Sequence, residues 1–425
     1  MFLRDGWAKS PYMNDSHEAF CKGIRAFINE DLLPDTAEAE VSGEYPTKEI
    51  YQKMGQAGLL AARIGPACMP VVKKLGIKLP GGVSPDDFDY FHEMLAHEAI
   101  GRLYKVSPGY VDGLGAGFCI GLPPVLYFAK KELQKQVVPE VLLGNKRICL
   151  AISEPIAGSD VANIETTAKK SECGKYYILN GVKKWITNGM FADYFVTAVR
   201  TGGKGMKGIS MICVPREGAG GTVTTKPIPT SYSPAAGTAL VMFDDFKVPV
   251  ECLLDKEGGG FKVIMANFNH ERWWICAAMT GCMRECVKDC QLWSSQREVF
   301  GKKLIKEPVI RQKLAKLMVA VESQGAHIES LTHQMKEMDY FTQAMKLAGP
   351  IALLKFNTTR LLTMMSDEAV QIFGGRGITR GGMGAGVEKL QKTFKFSSIL
   401  GGSEEIMADL GVRQAMREMP QSARL

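Results

Sequence analysis

The chain has 425 residues, of which 46% are hydrophobic and 23% charged, with 45 glycines and 20 prolines. This is the composition of an ordinary globular protein, and it excludes wholesale disorder, a collagen-like structure and a mini-protein. The formal net charge of +7, from 52 basic and 45 acidic side chains, is small for this length. A dedicated nucleic-acid-binding protein is therefore not expected.

Residues 1–145 are predicted to form an N-terminal helical domain. Apolar residues recur at spacings of three and four over residues 18–32, 47–62 and 86–103, and prolines separate these patterns. The most hydrophobic stretch, residues 106–129, contains an aspartate together with several glycines and prolines. This interruption favours a buried helix over a membrane span.

From Ile148 the apolar pattern changes from a period of about 3.6 residues to one of about 2, which predicts a small β-domain over residues 146–255. Two short apolar runs flank Asn180-Gly181, and this pair is typical of a tight hairpin turn. We therefore expect one strand at residues 176–179 and a second at 182–186. Further strands are expected at residues 194–199, 209–214, 223–226 and 239–243.

Three consecutive glycines at 258–260 follow the β-domain, and helical periodicity then returns. One apolar stripe at helical spacing is formed by Ile310, Leu314, Leu317, Val321, Ile328 and Leu331. The predicted fold class is α+β multidomain. It comprises an N-terminal helical domain (1–145), a central β-domain of antiparallel sheets (146–255) and a C-terminal four-helix bundle (256–425).

The cysteines and histidines indicate neither disulfides nor a metal site. The eleven cysteines include no CxxC pair, and the six histidines are scattered along the chain. The G-x-G-x-x-G at residues 203–208 lies between two predicted strands and not before a helix, which argues against a dinucleotide fingerprint.

The two ends of the chain bear on its localisation. The first residues lack a continuous apolar run and carry acidic side chains, which argues against a secretory signal and a mitochondrial presequence. The C-terminal tripeptide Ala423-Arg424-Leu425 resembles the peroxisomal S-K-L address. We expect a peroxisomal protein, with the cytoplasm or the mitochondrion as alternatives.

Four motifs resemble those of the acyl-CoA dehydrogenase family. Residues 148–160 read ICLAISEPIAGSD and residues 184–189 read KWITNG, similar to the flavin-contacting patterns T/S-E-P-x-A-G-S-D and W-I-T-N-G. Residues 297–301, REVFG, are similar to R-x-x-F-G, and residues 371–377, QIFGGRG, to Q-x-x-G-G-x-G. The motifs follow the family's order, so the resemblance extends over essentially the whole chain.

The resemblance implies FAD as the cofactor and a homo-oligomer, with a tetramer as in the family. Ser153, Trp185 and Thr187 would contact the flavin ring, for which a flat apolar wall and polar groups at its edge are needed. Arg297 and Phe300 would reach the adenosine diphosphate part of FAD on a neighbouring subunit. The remaining residues implied for the cofactor are Gln371, Gly374, Gly375, Ser403 and Glu405, and those implied for the substrate are Ser159 and Arg272.

The position of the catalytic base distinguishes two branches of the family. Most relatives carry it as glutamate in a loop, Y-E-G-T/S-x-E-I, and the matching stretch here, LGGSEEI at residues 400–406, has Gly401 instead. A minority branch, resembling the isovaleryl-CoA and long-chain enzymes, places the base on a helix in L-E-R. The corresponding pair here is Glu271-Arg272. We therefore expect Glu271 to be the base and the amide of Gly401 to polarise the thioester oxygen. A glutamate in the first turn of a helix is the simpler alternative.

The resemblance implies FAD-dependent conversion of an acyl-CoA to the trans-2-enoyl-CoA, as in fatty acid β-oxidation, with electron-transfer flavoprotein or oxygen as acceptor. A nitroalkane oxidase-like flavin oxidase or monooxygenase is one alternative, against which Glu271 speaks. A flavin-bearing protein linked to DNA damage is the other, and the near balance of charge over residues 386–425 speaks against it. Segments 230–237 and 381–386 depart from the family pattern and leave the substrate open.

Overall fold

The computed structural model describes residues 9–419, which group into two compact units. Unit 1 comprises residues 9–37, 89–108 and 269–419, and unit 2 comprises residues 38–88 and 109–268. Each unit is thus assembled from separate stretches of chain, whereas the predicted three-part division follows the sequence. Both the start of the amino-terminal segment and the tripeptide Ala423-Arg424-Leu425 lie outside the described residues.

The first part of the described chain is helical, as predicted. Its helices are α1 (Asp15–Phe27), α2 (Leu33–Ser42), α3 (Lys48–Gln56), α4 (Leu59–Ile64), α5 (Met69–Leu75), α6 (Tyr90–Gly101), α7 (Pro108–Gly113), α8 (Ala116–Phe128) and α9 (Lys131–Leu142). A π-helical turn, Ile28–Leu32, connects α1 to α2, so the first predicted helix is continued there in a wider winding.

Two of these helices begin in capping boxes whose third residue is histidine. Asn14 caps α1 with His17, and Asp89 caps α6 with His92. The two imidazole rings stack with their centroids 4.0 Å apart, and Asp89 Oδ1 lies 3.0 Å from His17 Nε2 and from His92 Nδ1. The sequence pattern did not indicate this cluster, which is close enough to hold a metal ion. His17 Nδ1 accepts from the amide of Asn14 and His92 Nδ1 from the amide of Asp89, so helix capping accounts for both histidines.

The apolar segment Pro108–Phe128 has the length and hydropathy of a membrane span, yet 78% of its 18-residue window is buried inside the protein. This burial supports the predicted core helix. Within it, Gly121 permits close packing of α8 on the sheet, because a Cβ there would lie 2.8 Å from the carbonyl carbon of Cys149. The helix therefore supports the strand that leads into the first flavin motif.

Unit 2 is built around an eight-stranded sheet with the order β6-β7-β3-β2-β4-β5-β8, in which β1 also pairs with β4. The pairings β1–β4 and β2–β4 are parallel, and the others are antiparallel. A hydrophobic core lies along the sheet and includes Tyr177, Phe195 and Phe243. The strands are β1 (Ile148–Ala151), β2 (Thr167–Lys170), β3 (Tyr176–Ile186), β4 (Tyr194–Arg200), β5 (Ile209–Pro215), β6 (Thr222–Pro227), β7 (Ala239–Pro249) and β8 (Leu253–Leu254).

The hairpin predicted at Asn180-Gly181 is wrong, because β3 continues through both residues. Its register with β7 shifts there, so that Asp244 and Asp245 oppose the single residue Asn180. The Asn180 side chain and Asp245 exchange two hydrogen bonds of 2.9 Å, one of them from the Asp245 amide. A pair of residues that suits a turn is accommodated here as a β-bulge, with the positive φ of 45° falling on Asp245.

The last part of the described chain is helical apart from one short hairpin. Its elements are α10 (Gly260–Gln296), β9 (Glu298–Val299), β10 (Lys302–Lys303), α11 (Pro308–Lys336), α12 (Tyr340–Lys346), α13 (Ala348–Phe373), α14 (Ala385–Ile399) and α15 (Glu404–Glu418). The predicted apolar stripe lies on α11 and is buried along its length. The order of helices, sheet and helices confirms the predicted fold class.

Candidate active site

Glu271 lies on α10 within unit 1 and is only 5% exposed. Its Oε2 atom has no hydrogen-bond partner among the described residues. Burial raises the pKa of Glu271 to about 7, against the opposing influence of Arg272, Lys355 and His270. A buried carboxylate with a free oxygen and a pKa near neutrality suits a general base, which must be deprotonated at working pH and still able to take a proton.

The loop between α14 and α15 lies directly against Glu271. Gly401 and Gly402 both have positive φ values, 67° and 113°, a conformation that favours glycine. A Cβ built on Gly401 would lie 3.4 Å from Glu271 Oε1 and 3.0 Å from Ile275 Cδ1. The two positions at which the base is expected in the two branches therefore converge on one place in this structure.

Two cations hold the carbonyl groups of this loop. Arg272 Nε donates to the oxygen of Gly401 at 2.9 Å, and Lys355 Nζ donates to the oxygen of Gly402 at 2.6 Å. Arg272 is 7% exposed, and burial lowers the pKa of its guanidinium group. The structure thus brings together the predicted residues Glu271, Arg272 and Gly401, and it adds Lys355, which the sequence motifs did not indicate.

The predicted cofactor residues after the loop take different positions. Ser403 stands at the N-terminus of α15 and is half-buried, while Glu405 in the first turn is exposed. Glu404, which the resemblance places away from the cofactor, is buried instead, with a carboxylate oxygen 3.7 Å from Arg360.

Unit 2 holds the residues predicted for the flavin ring. Ser153 follows β1, and its carbonyl oxygen accepts a hydrogen bond of 2.8 Å from the amide of Lys184, which adjoins Trp185. Trp185 has a φ of 67° and is 54% exposed, so its indole is presented at the surface of the unit. Thr187 is half-buried. Within residues 9–419, the hydroxyl groups of Ser153 and Thr187 have no hydrogen-bond partner.

A buried ion pair supports the first flavin motif. Lys183 Nζ lies 2.7 Å from Glu154 Oε1 and donates to the oxygen of Ile152 at 2.9 Å. Glu154 also accepts from the amides of Glu165 (2.6 Å) and Thr166 (3.0 Å). Burial opposes its ionisation, yet the charge of Lys183 and these donors lower the pKa of Glu154. The pair fixes both ends of the loop 153–166. The sequence feature that could have indicated this ion pair is a lysine at an inward-facing position of β3.

Asn188 of the second flavin motif ties this motif to the helical part of unit 2. Its Nδ2 donates to the oxygen atoms of Asp112 and Ala236, at 3.0 and 3.1 Å, and its Oδ1 accepts from the amide of Gly117 at 2.8 Å. Gly117 must be glycine for this approach, because a Cβ would lie 2.5 Å from Asn188 Oδ1. The motif resemblance included this asparagine, but its anchoring role was visible only in the fold.

The predicted adenosine-binding residues lie together in unit 1. Phe300 is at the tip of the β9–β10 hairpin, with a φ of 49° and 95% exposure. Arg297 precedes the hairpin and is exposed. Trp293 Nε1 donates to the oxygen of Ile372 at 3.2 Å, which joins the end of α10 to the Gln371–Gly375 segment. Gln371 is exposed, and nothing lies within 4 Å of a Cβ built on Gly374 or Gly375.

These surroundings fit FAD. An exposed indole beside two hydroxyl groups without partners offers a flat apolar face and polar contacts for an isoalloxazine ring. An exposed guanidinium and two open glycines offer cationic and amide donors for a diphosphate. Ser159, predicted for the substrate, is exposed in the loop held by Glu154.

The chain is similar to known proteins over almost its whole described length. The acyl-CoA dehydrogenase models match residues 14–145 (N-terminal domain), 149–246 (middle domain) and 258–416 (C-terminal domain). The acyl-CoA dehydrogenase apdG of Emericella nidulans is 40% identical over 96% of this chain and 92% of its own length. The butyryl-CoA dehydrogenase structure from Megasphaera elsdenii has a TM-score of 0.82 at 26% identity, covering 95% of this chain and 99% of that one.

A structure of an acyl-CoA dehydrogenase complexed with FAD from Bacillus anthracis has a TM-score of 0.81 at 25% identity, covering 96% of this chain and 69% of that one. The sequence relative and the family models together span almost the whole described chain. The chain therefore belongs to the acyl-CoA dehydrogenase family and is an FAD-dependent oxidoreductase.

Proposed function

We propose that this chain dehydrogenates an acyl-CoA thioester to the trans-2-enoyl-CoA, with Glu271 as the base that removes the α-proton. The observation that carries the proposal is the position of Glu271. It is a buried carboxylate with one oxygen free of partners, and it lies against a loop in which most of the family has a glutamate and this chain has glycine.

The proposed reaction breaks one C–H bond at the α-carbon and one at the β-carbon. Glu271 accepts the α-proton on its unpartnered Oε2, and the electron pair left behind becomes part of the new C=C bond. FAD, when bound, supplies the acceptor for the hydride that leaves the β-carbon. Because the pKa of Glu271 is raised to about 7, the ionised fraction of the base increases as pH rises through neutrality, and the rate should increase with it.

The backbone of the glycine loop supports proton removal. The amide of Gly401 has no hydrogen-bond partner within the described chain, while its carbonyl oxygen is held by Arg272. A free N–H at this point can donate to the thioester oxygen, which acidifies the α-proton by stabilising the developing negative charge. Replacement of the family's glutamate by glycine removes a side chain and keeps this donor.

Anaerobic titration of the purified yellow protein with a panel of acyl-CoAs tests the proposal. Bleaching of the flavin by at least one straight-chain or branched acyl-CoA is expected. Glu271→Gln should retain FAD and lower the reduction rate by about 100- to 10,000-fold, the usual cost of removing a general base. Glu405→Gln is the matched control and should keep proton abstraction. Reduction of Glu271→Gln at the wild-type rate would overturn the assignment of the base.

The comparisons do not favour the two alternatives, a nitroalkane oxidase-like enzyme and a DNA-damage-associated flavoprotein. The electron acceptor, electron-transfer flavoprotein or oxygen, is part of the proposal. Mixing the reduced protein with each acceptor in turn decides between them, since only the true acceptor should restore the yellow colour at a catalytic rate.

A homotetramer with FAD shared across subunits is likewise proposed. Phe300 is almost fully exposed at a positive φ, and Arg297 beside it is exposed, as expected of residues that serve a neighbouring subunit. Arg297→Ala should lower FAD occupancy and the assembled fraction together, measured by flavin absorbance and analytical ultracentrifugation. Unchanged occupancy would contradict the shared site.

Peroxisomal import through Ala423-Arg424-Leu425 remains a proposal that rests on the sequence. A fluorescent fusion should be peroxisomal, and deletion of the tripeptide should make it diffuse. An intact fusion that is already diffuse, or mitochondrial, would exclude the address.

A further inference from the structure

Lys355 is a buried lysine that the proposed reaction does not explain. It lies on α13 and is 0% exposed, an unusual position for a side chain that prefers water. No carboxylate within the described chain forms an ion pair with it at salt-bridge distance, and its Nζ donates to the oxygen of Gly402 at 2.6 Å. Its charge is therefore kept in the interior without the partner that usually offsets the cost of burial.

The surroundings of Lys355 connect it to Glu271. A Cβ built on Gly401 would lie 3.6 Å from Lys355 Cε and 3.4 Å from Glu271 Oε1, so both side chains border the same glycine. Each group favours the charged form of the other, since Lys355 lowers the pKa of Glu271 and Glu271 raises that of Lys355.

Few other titratable groups of the described chain act on this pair. On α10 they are His270 and Arg272, and at the start of α15 Glu404 also acts on Lys355. The thiol of Cys276 is neutral, because burial raises its pKa to about 12. The other two groups that lower the pKa of Glu271, Arg272 and His270, lie beside it on α10, whereas Lys355 acts on it from α13.

We propose that Lys355 is a positioning residue of the reaction: its ammonium group fixes the Gly401–Gly402 backbone against Glu271 and compensates the negative charge of the ionised base. This inference rests on the proposed role of Glu271. It assigns to one side chain two effects, a mechanical one on the loop and an electrostatic one on the carboxylate.

The electrostatic effect has a defined direction. Burial raises the pKa of Glu271 to about 7 and lowers that of Lys355 to about 8. Between these values both groups are charged and attract each other. Loss of the ammonium group raises the pKa of Glu271 further, so less of the base is ionised at neutral pH. A nearby opposite charge typically shifts a carboxyl pKa by about 1 unit or more.

The mechanical effect concerns the carbonyl of Gly402. Gly402 is half-buried, and its carbonyl would lose this donor on loss of the lysine. The loop should then open more often, although Arg272 still holds the preceding carbonyl. Faster amide exchange over residues 400–404 is the expected sign of this opening.

The test compares the FAD-loaded wild type with Lys355→Met, Lys355→Arg and Lys316→Met. Lys316 serves as the control. It lies on α11 and forms an ion pair of 2.9 Å with Glu368 of α13, at a point of α13 distant from Lys355. For each protein the pH profile of kcat/KM, the carboxyl stretch of Glu271 by infrared titration of the oxidised protein, and hydrogen exchange of the loop are measured. Subtraction of the Glu271→Gln spectrum identifies the band.

Lys355→Met should shift both the acid limb of the kcat/KM profile and the infrared titration of Glu271 to higher pH, by the same amount. It should lower kcat/KM about 10-fold at pH 6 and leave it nearly unchanged at pH 9, where Lys355 is itself largely neutral. Lys355→Arg keeps the charge and should show little of this shift, and Lys316→Met should match the wild type. An unchanged acid limb in Lys355→Met, with Glu271→Gln inactive, would show that the lysine only fills space and overturn this inference alone.

Failure of the proposed function gives a different result, because Glu271→Gln would then reduce its flavin normally and the inference would fall with it. Should Lys355→Met not yield folded protein, Lys355→Gln decides the matter in the same measurements. This variant keeps a donor for the Gly402 carbonyl without the charge. An upward shift supports the proposal, and a wild-type profile overturns it.

Discussion

Within residues 9–419 a buried lysine lies near a buried glutamate in two places, and the two differ in how the carboxylate is satisfied. In unit 2, Glu154 accepts from Lys183 and from two backbone amides, and its pKa is lowered. In unit 1, Glu271 keeps one oxygen without a partner, and burial raises its pKa to about 7. Both lysines also donate to a backbone carbonyl within a motif, that of Ile152 or of Gly402.

The difference shows that a contact ion pair together with amide hydrogen bonds, which Glu154 has and Glu271 lacks, makes a buried carboxylate structural and not reactive. Amide donors stabilise the ionised form and hold Glu154 in one state. Without them, a buried carboxylate stays close to the point at which it exchanges a proton at physiological pH. Glu154 therefore fixes the flavin motif, whereas Glu271 is available for chemistry.

The largest effect should follow from breaking the structural pair. Lys183→Met leaves Glu154 buried without its cation, which typically costs about 3–5 kcal/mol, and it releases the loop that carries Ser153. We expect a lower Tm, measured by calorimetry, and loss of FAD, measured by flavin absorbance. Adding Glu154→Gln should recover part of the stability, and Lys169→Met, an exposed lysine in the same sheet, is the control. A wild-type Tm for Lys183→Met would mean that the Lys183–Glu154 pair contributes nothing to the stability of the fold.

The second prediction moves the reactive carboxylate. Because a Cβ on Gly401 would lie 3.4 Å from Glu271 Oε1, Glu271→Gly combined with Gly401→Glu should place a carboxylate in nearly the same volume. Ile275→Val removes the Cδ1 atom that stands 3.0 Å from that Cβ. We expect the triple variant to reduce flavin about 10- to 100-fold faster than Glu271→Gly alone, below wild type because the loop keeps a positive φ. No gain over Glu271→Gly would show that the two positions are not equivalent.

The smallest effect concerns stability and pH. The carboxyl of Glu271 ionises near 4.5 in the unfolded chain and near 7 when folded, so the folded state holds the proton longer. Stability is therefore lost as pH rises between these values. Glu271→Gln does not titrate and should be more stable than the FAD-loaded wild type at pH 8, by about 1–3 kcal/mol, with the difference fading towards pH 5. Thermal melts at both pH values measure it, and a difference independent of pH would contradict the raised pKa.

The sequence predicted the elements wherever one local signal dominated. The stripe from Ile310 to Leu331 is buried on α11, because helical spacing and burial agree there. Asn180-Gly181 failed as a hairpin, because pairing with β7 over the whole of β3 outweighed the local turn preference. Propensity describes a short segment alone, and the register of a neighbouring strand lies outside it.

The site shows the same limit. The positions of Glu271 and Gly401 followed from motif resemblance, and the structure adds that they adjoin. Lys355 contacts a residue 47 positions away in the chain, and Asn188 contacts one 76 positions away. No single motif is long enough to contain both partners of either contact. The free Oε2 of Glu271 could not be predicted either, because it depends on which donors the fold leaves out.

The closeness of Gly401 to Glu271 also bears on how such a base can change place during evolution. A lineage with a glutamate in the loop can acquire a second one on the helix before it loses the first. Two carboxylates at this separation cannot both ionise easily, so one keeps a proton while the other remains a base. Arg272 and Lys355 are already present to balance the remaining charge. Such an intermediate would keep one ionised carboxylate as a base, and the later loss of the loop glutamate leaves a glycine in a backbone conformation that suits it.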